Sequence, residues 1–250
     1  MAENSGIGWT DHTMNFWWGC DKVTLECVFC YIDAIMRRAG KEPFKGPMRT
    51  VDWKKPLKWN RRAATTHERP RIFTCSMSDF FHPGADQWRP EAWKLIRQCV
   101  NLDWLILTKR PELIPDRLPS DWGDGYSNVW LGVTCGVQSS LHRISLIKKI
   151  PAKVRFISAE PLLESLDFRP HLDGSIHWII TGCEQAGKTK RRPMHIDWVR
   201  DIDLQCRDAN VAHFFKQRYD GTRLVTDGLL DGVVRHEWPN SRSIVKEEVK

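Results

Sequence analysis

Six short apolar runs recur along the chain: RIFTCS (71–76), WLILT (104–108), VWLGVT (129–134), VRFIS (154–158), HWIIT (177–181) and AHFFK (212–216). Their starts lie 33, 25, 25, 23 and 35 residues apart, the length of a strand, a helix and two loops. Runs apolar on both faces belong in a parallel sheet covered by helices. Helical periodicity fills the gaps at 90–101, 139–150 and 195–209, and an earlier strand over 14–18 with a helix over 31–38 adds one more unit. Such a series restricts the chain to the α/β class, as a doubly wound sheet or a partial or full (β/α) TIM-like barrel. The strand ends favour the barrel. They finish in Ser76, Ser78 and Asp79; in Thr108, Lys109 and Arg110; in Thr134; in Ser158 and Glu160; in Thr181 and Glu184; and in Lys216 and Gln217. Polar groups at the carboxyl ends of successive strands share one pocket only if the sheet curls. Pro111 and Pro161 read as first-turn residues of following helices.

The 250 residues suffice for one such core. The expected division is a barrel over 1–218, with a basic insertion at about 37–71, and a C-terminal hairpin (LLDGVVRHEW) and tail over 219–250, where SRSIVKEEVK reads as a frayed terminus. No apolar run approaches the roughly 18 residues of a membrane span, and the start MAENSGIGWTDHT lacks the pattern of a signal peptide. The expectation is a cytoplasmic protein without a membrane partner, whose eight cysteines stay reduced. Cys75, Cys99, Cys135, Cys183 and Cys206 are scattered and read mainly as small buried hydrophobes.

The formal charge of +7 is local. Between Arg37 and Arg71 there are 12 basic residues against three acids, so this one segment exceeds the net charge of the whole chain. Arg37, Arg38, Lys54, Lys55, Lys58, Arg61 and Arg62, interleaved with Trp53 and Trp59, suit a surface that follows phosphates while its indoles stack on bases. The same pattern also describes a solvated basic face with two tryptophans covering core. Lys188, Lys190, Arg191 and Arg192 form a later basic cluster that fits the same surface.

After the first expected strand, the segment NFWWGCDKVTLECVFCYID places Cys20, Cys27 and Cys30 in a C-x6-C-x2-C pattern. Three thiolates on one loop hold three irons of a 4Fe-4S cluster and leave the fourth iron open to a substrate or cofactor. The competing chemistry is zinc, which needs a fourth ligand such as His82 or Cys75 to close a tetrahedron.

A three-cysteine loop after the first strand of a (β/α) barrel, with Phe29 before the last cysteine, resembles the radical S-adenosylmethionine superfamily, although its first interval is longer than the usual C-x3-C-x2-C. The words NFWWGCDKVTLECVFCY, SMSDFF, LTKRP, SAEPLL, ITGCEQ with RRPM, and FFKQ, running in order from Asn15 to Gln217, resemble more closely a phage and bacterial three-cysteine family, domain of unknown function 5131. The resemblance implies a radical-SAM-type barrel and a 4Fe-4S cluster on Cys20, Cys27 and Cys30. The open iron would chelate S-adenosylmethionine, whose reductive cleavage yields a 5'-deoxyadenosyl radical. By position, Phe29 would contact the adenine and Ser76 and Ser78 the methionine amine. Lys109 or Arg110 would face the carboxylate and Thr134 the ribose. Glu160 and Glu184 would serve ribose or substrate, and Asp79 would act on substrate or move a proton.

The implied function is a radical isomerase of thymidine hypermodification, rearranging an amino acid carried on the 5-methylene of a pyrimidine in phage DNA. It would work in the host cytoplasm, with DNA and an electron donor such as flavodoxin or ferredoxin as partners. Two other function classes stand beside it. One is a zinc-dependent nucleic-acid binder. The other is an NTPase, because GCEQAGKT (182–189) fits a P-loop after a strand. A P-loop, however, needs a helix starting at its GKT, and Pro193 opposes one there.

Overall fold

Seven strands run parallel and in sequence order through one sheet: β1 (His12–Met14), β2 (Arg71–Thr74), β3 (Asp103–Thr108), β4 (Val129–Thr134), β5 (Val154–Ala159), β6 (Trp178–Gly182) and β7 (Ala212–Asp220). The computed structural model describes residues 2–187 and 190–239. The tail expected to fray, and Lys188 and Thr189 of the P-loop-like word, lie outside the described residues. The two sheet edges are capped antiparallel, by Ala2–Glu3 on β1 and by Arg223–Val225 on β7. The sheet is therefore an open, partial barrel among the described residues, and its capped edges offer less unpaired backbone.

The curl follows from Trp9. Its ring lies 4.6 Å from Phe73 on β2 and 5.9 Å from Trp178 on β6. In a flat sheet those strands, four spacings apart, would be separated by about 19 Å, beyond the reach of one indole. Alternation does the rest. Phe73, Leu105, Trp130, Phe156, Trp178, Ile180 and Phe214 fill the concave side, while Ile72, Trp104, Ile106, Leu131, Ile157, Ile179 and Phe215 face the helical layer. Gly132 on β4 is a required glycine, because a Cβ there would overlap the Phe156 ring. The amino-end opening is covered by the C-terminal segment: Trp178 Nε1 donates to the Glu237 carbonyl at 2.8 Å, and the Arg71 guanidinium lies 4.3 Å over Trp238.

Five α-helices accompany the sheet among the described residues: α1 (Ile32–Arg38), α2 (Lys55–Thr66), α3 (Arg89–Gln98), α4 (His142–Lys148) and α5 (Ile196–Asp208). None is long and apolar enough to cross a membrane. The basic segment contains α2, which buries Pro56, Trp59 and Ala63 at spacings of three and four. Two expectations need correction. The first strand ends at Met14, and Trp17–Trp18 leave the sheet to pair with Met48–Arg49, because the Asn15 side chain turns to accept from Met77 N at 2.8 Å. Pro161 opens no helix. The stretch from 161 to 177 carries Pro161, Pro170 and Gly174 and runs instead as a loop with one 3-10 turn, Arg169–His171, and Leu162 N donates to Gly182 O and Leu163 N to Gly136 O, both at 2.9 Å. Pro111 does open a short 3-10 turn, Pro111–Leu113. Leu229–Leu230 and Val233–Val234 pair antiparallel around Asp231 and Gly232, within the LLDGVVRHEW segment read as a hairpin.

Candidate active site

The loop from Gly19 to Cys30 begins at a constrained point. Gly19 has φ +95°, and a side chain there would overlap the Gly46 carbonyl oxygen. Only glycine meets both demands. The loop then crosses the carboxyl ends of the strands and is fastened to four of them. After β2, the Ser78 hydroxyl donates to Gly19 O, and the Tyr31 hydroxyl donates to Ser76 O. After β3, Arg110 Nη1 lies 3.7 Å from Cys20 Sγ and Nη2 donates to Asp21 O at 3.2 Å. After β4, Gly136 N and Arg143 Nη1 approach Glu26 Oε1 at 3.4 and 3.0 Å. After β6, Arg192 Nη2 donates to Leu25 O at 3.0 Å, and its guanidinium lies 5.4 Å over the Phe29 ring.

All eight cysteines are free thiols, and they fall into two groups. Burial pushes Cys75, Cys99, Cys135 and Cys183 up to about 12 and raises Cys206 as well, which suits inert packing. The loop thiols sit in a basic setting. Burial and Asp79 push Cys20 up to about 11 against the pull of Arg110 and Lys109. At Cys27 burial is outweighed by Lys109 and by hydrogen bonds from Val23 and Thr24, so its thiol lies below the ordinary value. Burial raises Cys30, with Lys109 again opposing it. The Lys109 ammonium thus acts on all three thiols and forms no hydrogen bond among the described residues.

The other site residues divide by what they touch. Asp79 is buried, and its two oxygens accept from Phe81 N, Thr108 Oγ1 and Lys109 N while pairing with Arg110 at 3.4 Å. Ser76 exchanges hydrogen bonds with Asn15, at 3.1 and 3.3 Å. Glu160, just after β5, pairs with Lys216 within β7, and Glu184 pairs with Arg192 inside the connection from β6 to α5. Thr134 follows Trp130 and Gly132 on the concave face, and its buried hydroxyl has no partner among the described residues. Glu26 is likewise buried. Sequence reasoning missed Glu26, Arg143, Asn15 and Tyr31. Glu26 had one local signal, an acid inside an apolar loop between two cysteines.

The basic segment keeps its charge but not its stacking indoles. Arg37, Arg38, Lys54, Lys55, Lys58, Arg61 and Arg62 are exposed, with Arg37 paired to Asp33 and Arg62 to Glu3. Trp53 and Trp59 are core residues. Trp53 donates to Thr50 Oγ1 at 3.0 Å beneath Arg49, and Trp59 packs 4.6 Å from His12. Their inward orientation covers the core, so they are not available to stack on bases. Lys190 is exposed, while Arg191 lies 3.6 Å over Tyr219.

Among the described residues no three His, Cys, Asp or Glu side chains close on one point as the donors of a mononuclear metal would. His82 is engaged by Asp21 and Gly84 N, at 2.8 and 3.0 Å, and Cys75 is buried away from the loop. The helix after GCEQAGKT starts only at Ile196, so its first-turn amides are not placed at the GKT.

Among known proteins, a family model described as "Protein of unknown function (DUF5131)" matches residues 4–237. No curated protein matches the chain. Among solved structures, the chain is similar to a spore photoproduct lyase mutant with bound AdoMet and a dinucleoside spore photoproduct, at 13% identity and a TM-score of 0.45, over 86% of this chain and 66% of that one.

Proposed function

The chain belongs to this family of unknown function, and from the geometry of its cysteine loop we propose that it is a radical S-adenosylmethionine enzyme acting on DNA. The observation that carries the reading is the placement of Cys20, Cys27 and Cys30 on one loop laid across the strand ends. The donor set suits a 4Fe-4S cluster: three thiols, no competing disulfide, and the cations Lys109 and Arg110 to offset thiolate charge. The buried Thr134 hydroxyl, without a partner among the described residues, is a site for a polar ligand at the same mouth, since buried polar atoms ordinarily find partners.

When bound, a cluster with an open iron and S-adenosylmethionine supplies a carbon radical able to take hydrogen from an unactivated C–H bond. The chain's own groups bind and orient. Lys109, without a hydrogen bond among the described residues, is the cation for a carboxylate; Thr134 offers a hydroxyl to a ribose, and Phe29, backed by Arg192, offers a face for adenine. The Ser76 carbonyl, through Tyr31, and the Ser78 hydroxyl hold the loop to β2, and Asp79 holds Arg110. Glu160 and Glu184, at the strand ends with their cationic partners, are positioned to receive the substrate's polar groups.

The exposed basic residues of α1 and α2 supply phosphate contacts for DNA, and the exposed Lys190 adds another. The substrate in this reading is a pyrimidine carrying an amino acid on its 5-methylene, rearranged in place as part of phage thymidine hypermodification, with a flavodoxin or ferredoxin as electron donor. The test is anaerobic incubation of reconstituted, reduced protein with S-adenosylmethionine and DNA bearing that base, followed by mass spectrometry of the nucleosides. An isomeric nucleoside of unchanged mass and new retention is expected. Cleavage of S-adenosylmethionine with every nucleoside unaltered overturns the substrate assignment.

A further inference from the structure

Arg110 is buried at 6% exposure, yet it spends its donors in an unusual direction. Nη1 reaches Cys20 Sγ at 3.7 Å and Asp79 Oδ2 at 3.4 Å, while Nη2 donates to Asp21 O at 3.2 Å. The planar fork of a guanidinium spans these partners, and a lysine ammonium, a point donor, does not. Asp79 in turn is fixed from three sides: Phe81 N at 2.9 Å on Oδ1, Lys109 N at 3.0 Å on Oδ2, and the Thr108 hydroxyl at 2.8 and 2.9 Å on both. Arg110 N also donates to that Thr108 oxygen, at 2.9 Å. A buried ion pair seldom repays its desolvation in stability, so what this pair is aimed at matters more than its own strength.

It is aimed at a sulfur. Of the three loop thiols, Cys20 alone receives a guanidinium among the described residues; the side-chain partner of Cys27 is the Thr24 hydroxyl at 3.8 Å. The sequence offered Lys109 or Arg110 for a methionine carboxylate. With the donors of Arg110 committed to Asp79, Cys20 and Asp21, that role falls to Lys109.

We propose that Arg110, clamped by Asp79 and Thr108, is a positioning residue that gives the Cys20 thiolate a hydrogen bond and a fixed positive charge, and so sets the reduction potential of a cluster on this loop. The inference rests on the cluster reading above. Hydrogen bonds to cluster sulfurs and nearby charge are among the determinants of iron–sulfur potentials. Both favour the reduced, more negative form, so the wild-type arginine raises the potential.

The test compares anaerobically reconstituted wild-type, Arg110→Lys and Arg110→Met full-length protein by iron content and by redox titration followed by electron paramagnetic resonance. Arg110→Lys keeps a cation for Asp79 and gives up the span to Cys20, so it remains informative where Arg110→Met fails to fold or to load. The expected result is full iron content with the midpoint potential moved to more negative values in Arg110→Lys, and further in Arg110→Met where it loads. Wild-type potential in fully loaded Arg110→Lys overturns the inference and leaves the cluster reading standing. A wild-type protein that takes up no cluster overturns the cluster reading itself, and the inference with it.

Discussion

Glu26 and Arg143 show how single residues hold the candidate site in place. Their side chains are 0% and 3% exposed, lie 3.0 Å apart, and join the cysteine loop to the end of β4, where Arg143 also donates to Thr134 O at 2.7 Å. Burial disfavours ionised Glu26, but Thr24 and Arg143 outweigh it and hold its carboxyl below the ordinary value. Removing one partner of such a pair costs about 3–5 kcal/mol, because a buried charge is left alone. Arg143→Met is therefore expected to lose about that much stability in urea unfolding, and Glu26→Gln with Arg143→Met to recover part of it. A single variant as stable as wild type would show that the pair does not anchor the loop. This pair was not legible in sequence, because its members stand 117 positions apart and no local pattern links them. The three cysteines were legible because they share one loop.

At the scale of elements, the strands were read most accurately where their neighbours are most regular. The β4 strand occupies the residues expected of it, 129–134, since apolar side chains on both faces leave little alternative in a central parallel strand. The first strand and the β5–β6 connection were misread, because Asn15 and the prolines act through hydrogen bonds and backbone limits that hydrophobic runs do not reveal. Helix α2 went unrecognised for a related reason: its charge drew attention and its three buried residues did not. Those residues fix its orientation, with Lys55, Lys58 and Arg62 on the outer side at helical spacing. Charge reversal at Lys54, Lys58 and Arg61 leaves the buried side untouched. It is expected to weaken DNA binding about equally for all sequences and to reduce the slope of log affinity against log salt by roughly one for each phosphate no longer neutralised. An unchanged slope would remove α2 from the DNA interface.

At the scale of the molecule, thirteen tryptophans and a localised charge serve different ends. Trp9, Trp130 and Trp178 fill the concave side and Trp238 helps close the amino end, while Trp17, Trp53, Trp59, Trp93, Trp104 and Trp122 pack in the larger cluster between sheet and helices. The curl gathers the strand ends, and the cysteine loop lies across them. The order of βα units and the polar strand ends made this architecture readable; the closure by the C-terminal segment was not, because Trp238 meets Trp9 and Arg71 far away in the sequence. The arrangement stands or falls on what the three thiols hold. The decisive measurement is elemental analysis with absorbance and paramagnetic resonance on anaerobically prepared full-length protein and its Cys20→Ala, Cys27→Ala and Cys30→Ala variants. A brown protein with about four irons per chain, lost in each variant, is the expected result; a colourless protein carrying stoichiometric zinc would contradict it.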